Sequence, residues 1–212
     1  ISGKHWDGFN RISIEEVNEI KQYLDKFIWF LKPEKDFTLT SILNQIKAIK
    51  QRYGLEYFVI DAWNKIEHAD DKTSYIGKCL DEIVTFCEIN NVHCFLVAHP
   101  TKIKKNINTG KYEVPTLYDI AGSANFYNKA DNGICVYRDF EEQKTYVHIQ
   151  KIKFDHWGTE SCAVFTYDVK SKRYQSDTPD LGSWLNPKSL YNEMIEYVNG
   201  KPKEDLTEFD IF

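Results

Sequence analysis

Two short, uniformly apolar, β-prone runs, each closed by a polar side chain, constrain this chain most. Tyr57–Ala62 (YFVIDA) ends at the carboxylate of Asp61, and His93–His99 (HCFLVAH) ends at the imidazole of His99. Between them, Ser74 to Asn91 carries Ile76, Leu80, Ile83, Val84 and Cys87 at amphipathic helical spacing. Strands without polar alternation expect cover on both faces, and a helix-length crossover is what two parallel strands require. The pattern predicts an α/β fold around a mostly parallel central sheet flanked by helices.

The flanking sequence extends this rhythm. Ser13 reads as an N-cap with Glu16 completing a capping box, and Ile14, Val17, Ile20 and Leu24 follow at helical spacing. Phe27–Leu31 (FIWFL) reads as a strand stopped by Pro33. Thr38 or Thr40 opens a second helix with the stripe Leu39, Ile42, Leu43, Ile46 and Ile49, ended by Gly54. Pro100 to Thr116, rich in Lys, Asn and Gly, reads as a loop that packs no core. Ile134–Arg138, Tyr146–Phe154 and Cys162–Asp168 read as successive strands joined by short turns, an antiparallel addition at the C-terminal side. The chain thus divides into a core of residues 1–175 and an extension of residues 176–212, with one short helix (Pro187 to Val198) and an acidic end.

Composition narrows the function classes. The 212 residues include 42% hydrophobic and 28% charged side chains, enough for a soluble core. The net charge of -5 leaves no global basic field, so any nucleic-acid site is a local patch. No apolar run approaches the ~20 residues needed to span a bilayer, so no membrane association is expected. The five cysteines lie in apolar runs and form no CxxC, which reads as reduced core thiols in an intracellular protein, with no zinc knuckle.

Carboxyl-terminal strand ends line the ligand crevice of a parallel sheet, which singles out Asp61 and His99. Four apolar residues followed by Asp is the pattern of a Walker B strand, whose carboxylate holds Mg²⁺ directly or through water. Taken alone, Asp61 is equally an ordinary strand end entering a turn, and His99 a strand-end histidine bonded to backbone. Lys102, Lys104, Lys105 and Lys111 meet no acid until Glu113 and form a local cationic finger suited to phosphate backbone, or simply a solvated loop. Lys151 and Lys153 alternate along a strand and fit solvent exposure as well as chemistry.

Four segments in order, YFVIDAWNKIEH, FLVAHPTKIKK, DIAGSANFYNKADNGICVYRD and VHIQKIKFDHWGTES, resemble the RecA-like motor domain of DnaB-like replicative DNA helicases. The flavour is that of the phage T7-type primase-helicases, Twinkle and the TOPRIM-linked phage helicases, over roughly Tyr57 to Tyr174. The resemblance implies a RecA-like P-loop NTPase core that uses ATP or another NTP with Mg²⁺, travels on single-stranded DNA and assembles into a hexameric ring in the cytoplasm of a bacterial or phage-infected cell. It implies Asp61 as the Mg²⁺ carboxylate, His99 as the γ-phosphate sensor, and Lys151 and Lys153 as the cations reaching a neighbouring subunit's nucleotide. It implies Asn128 beside the nucleotide, and Arg138 and Tyr167 around its base. Lys102, Lys104, Lys105 and Lys111 fall in its first DNA-binding loop, and Gly122, Ser123 and Asn125 in its second.

The chain departs from that pattern in three places. No GxxxxGK[ST] phosphate loop occurs, and the resemblance implies that this loop and the catalytic glutamate lie upstream of a chain that starts at Ile1. Lys153 stands where the family carries Arg, whose planar fork an ammonium does not reproduce. Ala121 stands where T7-type enzymes carry Arg. A non-catalytic module that binds single strands or a partner, and a recombinase-type ATPase of the same fold, are the competing readings. The terminal residues Glu204, Asp205, Glu208 and Asp210 around Leu206, Phe209, Ile211 and Phe212 resemble tails that dock replication proteins, or form a solvated terminus.

Overall fold

The computed structural model describes residues 11–176, apart from 33–35, 68–72, 102, 104, 109, 121, 122, 155 and 157. The predicted helix at Pro187 to Val198, the acidic end and Ala121 lie outside the described residues. The chain divides into two compact units, Lys32–Arg138 with Tyr146–Cys162, and Ile1–Leu31 with Asp139–Thr145 and Ala163–Phe212.

The larger unit is built on two parallel strands, β1 (Tyr57–Asp61) and β2 (His93–Val97), paired from Tyr57 opposite His93 to Asp61 opposite Val97. Two helices supply the core against them. The earlier one (Leu39–Tyr53) is capped by Thr38, whose side chain accepts from the Ser41 N–H at 3.3 Å. Gly54 ends it at φ 76, a left-handed value open to glycine without penalty. The crossover helix (Thr73–Asn90) buries Ile76, Gly77, Cys79, Leu80 and Ile83. Leu39, Leu43 and Ile46 join Phe58, Ile60, Trp63, Ile66 and the crossover residues in one apolar cluster. Each such side chain contributes about 1.5–3 kcal/mol of burial.

Three expectations differ here. The two parallel strands alternate: Phe58 and Ile60 are buried, whereas Val59 is 62% exposed and Phe95 48% exposed. The helices that share the strands' core cluster cover one face of the pair, so an uninterrupted apolar run is only half buried among the described residues. Val84 is exposed, because the buried stripe of the crossover helix continues through Phe86 and Cys87 instead. The loop after β2 is not structureless. Lys105 bridges Tyr112, the Asn106 N–H donates to the Lys111 carbonyl at 2.8 Å, and Gly110 turns the chain at φ 69.

Downstream, a 3-10 turn (Leu117–Asp119) leads to a short helix (Ser123–Lys129), β3 (Asn132–Asp139) and β4 (Lys144–Ile152). The short helix is locked in place by three contacts, two of them to the crossover helix. Phe126 meets Trp63 edge-on at 5.6 Å between ring centroids, Lys129 pairs with Asp81, and the Asn125 amide donates to the Thr73 carbonyl at 2.7 Å.

The smaller unit holds the first helix of the described chain (Ile14–Leu24), most of β5 (Ser161–Asp168) and all of β6 (Arg173–Ser176). The predicted capping box is present: Ser13 accepts from Glu16 N–H at 3.1 Å while the Glu16 carboxylate accepts from Ser13 N–H at 2.9 Å. Phe27–Leu31 is not a strand. The N–H groups of Phe27 and Ile28 return to the Leu24 carbonyl at 2.9 Å, closing the helix end, and are spent before a ladder can use them. The two strands β5 and β6 pair antiparallel, with Tyr167 opposite Tyr174; β6 went unrecognised in the sequence because RYQS carries little apolar signal.

Phe126 is 6% exposed and its ring closes the core beneath the short helix. Phe126→Ala is expected to destabilise the chain by about 3–5 kcal/mol, read as a lower urea midpoint at unchanged slope.

Candidate functional site

The register of the parallel pair decides what stands together. Asp61 closes β1 opposite Val97, and His99 lies two residues beyond Val97, so the carboxylate and the imidazole leave the sheet at one edge. Both residues are exposed. The peptide joining Asp61 to Ala62 is cis. Ala62 and Trp63 then dive into the core, the latter 3% exposed, and pin the turn that follows β1. From that turn (a 3-10 segment, Trp63–Lys65) the Asn64 side-chain oxygen accepts the His99 backbone N–H at 3.0 Å. The two strand ends are therefore tied directly to each other.

The lysines of β4 and beyond are already engaged. The Lys151 ammonium donates to the Tyr127 carbonyl at 2.5 Å and sits 4.9 Å from the Tyr127 ring centroid. Lys153 pairs with Asp131 at 2.6 Å and lies 5.3 Å from the Phe154 ring centroid. The Lys153–Asp131 pair is half exposed and worth little in stability, so exchanging it for a phosphate costs little.

The remaining sequence candidates are scattered in role. Lys105 stands over the Tyr112 ring at 4.9 Å, and Lys111 is exposed on the opposite arm of the same small hairpin. Lys102, Lys104 and Gly122 lie outside the described residues. Ser123 opens the short helix. Asn125 commits its amide to Thr73 and packs over Gly77, where an added Cβ would come within 3.3 Å of the Asn125 side-chain oxygen. Asn128 is exposed on the same helix. Arg138, near the end of β3, belongs to the larger unit, whereas Tyr167 belongs to the smaller one and packs against Tyr174 at 4.9 Å.

Sequence reasoning missed Asn64, Thr101, Tyr127 and Asp131. The signal for Asn64 was its place three residues after Asp61, which puts it in the turn at the strand's carboxyl end. Tyr127 and Asp131 carried none, since their partners lie far along the chain, at Lys151, 24 residues on, and at Lys153 just beyond β4.

No group of three or more His, Cys, Asp or Glu among the described residues could cage a metal ion. A lone exposed carboxylate at a strand end nevertheless fits Mg²⁺, which takes one or two carboxylates and fills its remaining positions with water and phosphate oxygens.

A parallel strand pair with a carboxylate and an imidazole on one edge, crossed by a helix and followed by antiparallel strands, is the arrangement of a RecA-like ATPase domain. No protein-family model matches the chain. It is 32% identical over 180 residues to the "Twinkle homolog protein, chloroplastic/mitochondrial" of Arabidopsis thaliana, an alignment covering 80% of this chain and 25% of that one. The chain thus spans about a quarter of the length of this curated relative. In fold it is similar to a solved DnaB-like ATPase domain, with a TM-score of 0.52 at 15% identity over 65% of this chain and 50% of that one. The chain is a DnaB/Twinkle-like, RecA-like domain.

The cysteine chemistry is separate from this edge. Burial pushes the Cys94 thiol up to about 12 and raises Cys79, Cys87 and Cys135 as well, whereas Cys162 is exposed rather than a core residue. Raised thiols stay protonated at neutral pH and are poor nucleophiles. Iodoacetamide at pH 7.5 is expected to alkylate Cys162 rapidly in the native chain and all five cysteines only after denaturation, as counted by mass spectrometry.

Proposed function

We propose that this domain is part of the motor of an ATP-dependent replicative DNA helicase, one that travels on single-stranded DNA as a ring, in the hexameric form expected from sequence. The observation that carries the reading is the shared edge of Asp61 and His99, tied by the Asn64–His99 bond. Such an edge faces a nucleotide in parallel α/β sheets. Asp61 is the residue that would hold Mg²⁺, which when bound neutralises charge on the transferring phosphoryl group. His99, exposed beside it, is placed to bond the γ-phosphate and to report its loss.

Lys151 and Lys153 serve the nucleotide of an adjacent subunit. In this chain they rest on Tyr127 and Asp131, so ring closure exchanges those partners for phosphate oxygens. Lys153 does so as a point charge without the fork of an arginine. Asn128, Arg138 and Tyr167 complete the nucleotide surroundings. Lys102, Lys104, Lys105 and Lys111 track the DNA backbone, and Gly122, Ser123 and Asn125 form the second strand-facing loop. Sequence-tolerant grip of this kind rests on charge and close backbone approach. The 212-residue segment contains no GxxxxGK[ST] sequence and is expected to hydrolyse no ATP by itself.

The test uses the polypeptide as naturally encoded. Asp61→Asn is expected to lower Mg²⁺-dependent, DNA-stimulated ATP hydrolysis by about 10²-fold or more while single-strand affinity stays near wild type. Full hydrolysis in that variant would remove Asp61 from the site. Lys105→Ala is expected to weaken binding to single strands of every sequence and to flatten the log–log salt dependence by roughly 0.7, as measured by fluorescence anisotropy over a salt series.

A further inference from the structure

The segment that leaves β2 is held from two sides by residues that the reading above leaves unused. On one side, the His99 N–H donates to the Asn64 side-chain oxygen at 3.0 Å. On the other, Thr101 donates twice to the Asp119 carbonyl, from its backbone N–H at 2.9 Å and from its hydroxyl at 3.0 Å. Pro100 adds an antiparallel bridge to Ile120. Only Pro100 separates His99 from Thr101, and its ring fixes φ, so the link between the two is short and stiff.

The acceptor on the far side is itself immobilised. Thr116 and Asp119 close a capping box around the 3-10 turn Leu117–Asp119, with the Asp119 carboxylate accepting the Thr116 N–H at 2.7 Å and its hydroxyl at 2.9 Å. Leu117 fills the space over Gly133 so closely that an added Cβ there would lie 2.6 Å from a Leu117 methyl. Tyr118 stacks on Tyr127 at 4.6 Å, the same ring that Lys151 overlies. Ile120, the residue bridged to Pro100, leads directly into the segment Ala121–Asn125. A shift at His99 therefore reaches that segment through two hydrogen bonds and one bridge, without passing through the long lysine loop.

We propose that Asn64 and Thr101 are positioning residues that tether His99 to the turn after Asp61 and to the entry of the Gly122–Asn125 loop, and thereby couple nucleotide state to grip on the DNA strand. The coupling part rests on the helicase reading; the tether part does not. Neither residue touches substrate in this arrangement; both act through His99.

Two measurements separate these parts. Amide exchange in the 212-residue chain is expected to be slow at His99, about fivefold faster in Asn64→Ala, and near wild type in Asn64→Asp, which keeps an oxygen acceptor. Equal exchange at His99 in wild type and Asn64→Ala would overturn the tether. In the naturally encoded polypeptide, Asn64→Ala and Thr101→Val are expected to cut the stimulation of ATP hydrolysis by single-stranded DNA about fivefold, with unstimulated kcat and KM within about twofold of wild type. Asn64→Asp and Thr101→Ser are expected to restore it. Undiminished stimulation in both variants, or a parallel loss of unstimulated turnover, would overturn the coupling. If the wild-type polypeptide hydrolyses no ATP, the helicase reading and the coupling that rests on it fall together, and the exchange result alone decides the tether.

Discussion

The parallel ladder between β1 and β2 is the constraint on which the rest of the larger unit depends. Parallel neighbours cannot be joined by a tight turn, so a crossover must carry the chain from one strand's end back to the other's start. The helix Thr73–Asn90 does this and buries Ile76, Leu80 and Ile83 against the same core as Phe58 and Ile60. Because the strands point the same way, both deliver their closing residues to one edge. Antiparallel pairing of the same two sequences would have put Asp61 and His99 at opposite ends.

Around that edge the polar groups are held by short-range bonds instead of burial. Asn64, His99, Thr101 and Asp119 form a run of contacts between 2.9 and 3.0 Å, and all of them sit at turns where the backbone would otherwise leave donors to water. The cations nearby follow the same rule. Lys151 uses a carbonyl and a ring, and Lys153 uses a carboxylate, all from chain segments that precede β4. Such partners orient a lysine without fixing it, since exposed pairs contribute at most about 1 kcal/mol. A site assembled this way is ordered enough to align its groups and weakly enough tied to exchange them.

Local chemistry made much of this legible in advance. Ser13 with Glu16, Thr38 and Gly54 marked helix ends because caps involve residues only a few positions apart. The apolar runs marked β1 and β2, and three of the four later strands. Phe27–Leu31 misled for a stated reason: β-propensity describes side chains that suit a pleated surface, and the N–H groups of Phe27 and Ile28 were already spent on the helix end. The even apolarity of YFVI likewise promised two covered faces, yet only one is covered by the described helices.

The amino-acid sequence alone determined the element types, the apolar stripes and the two polar residues that end the parallel strands, since each is set by neighbours within a turn or two. Tertiary structure alone decided that Asn64 reaches His99, that Thr101 reaches Asp119, that Asn125 turns inward to Thr73, and that Lys151 and Lys153 rest on Tyr127 and Asp131. Those contacts join positions 18 to 52 residues apart, and a hydrogen bond has no periodicity by which a linear pattern could announce its distant partner.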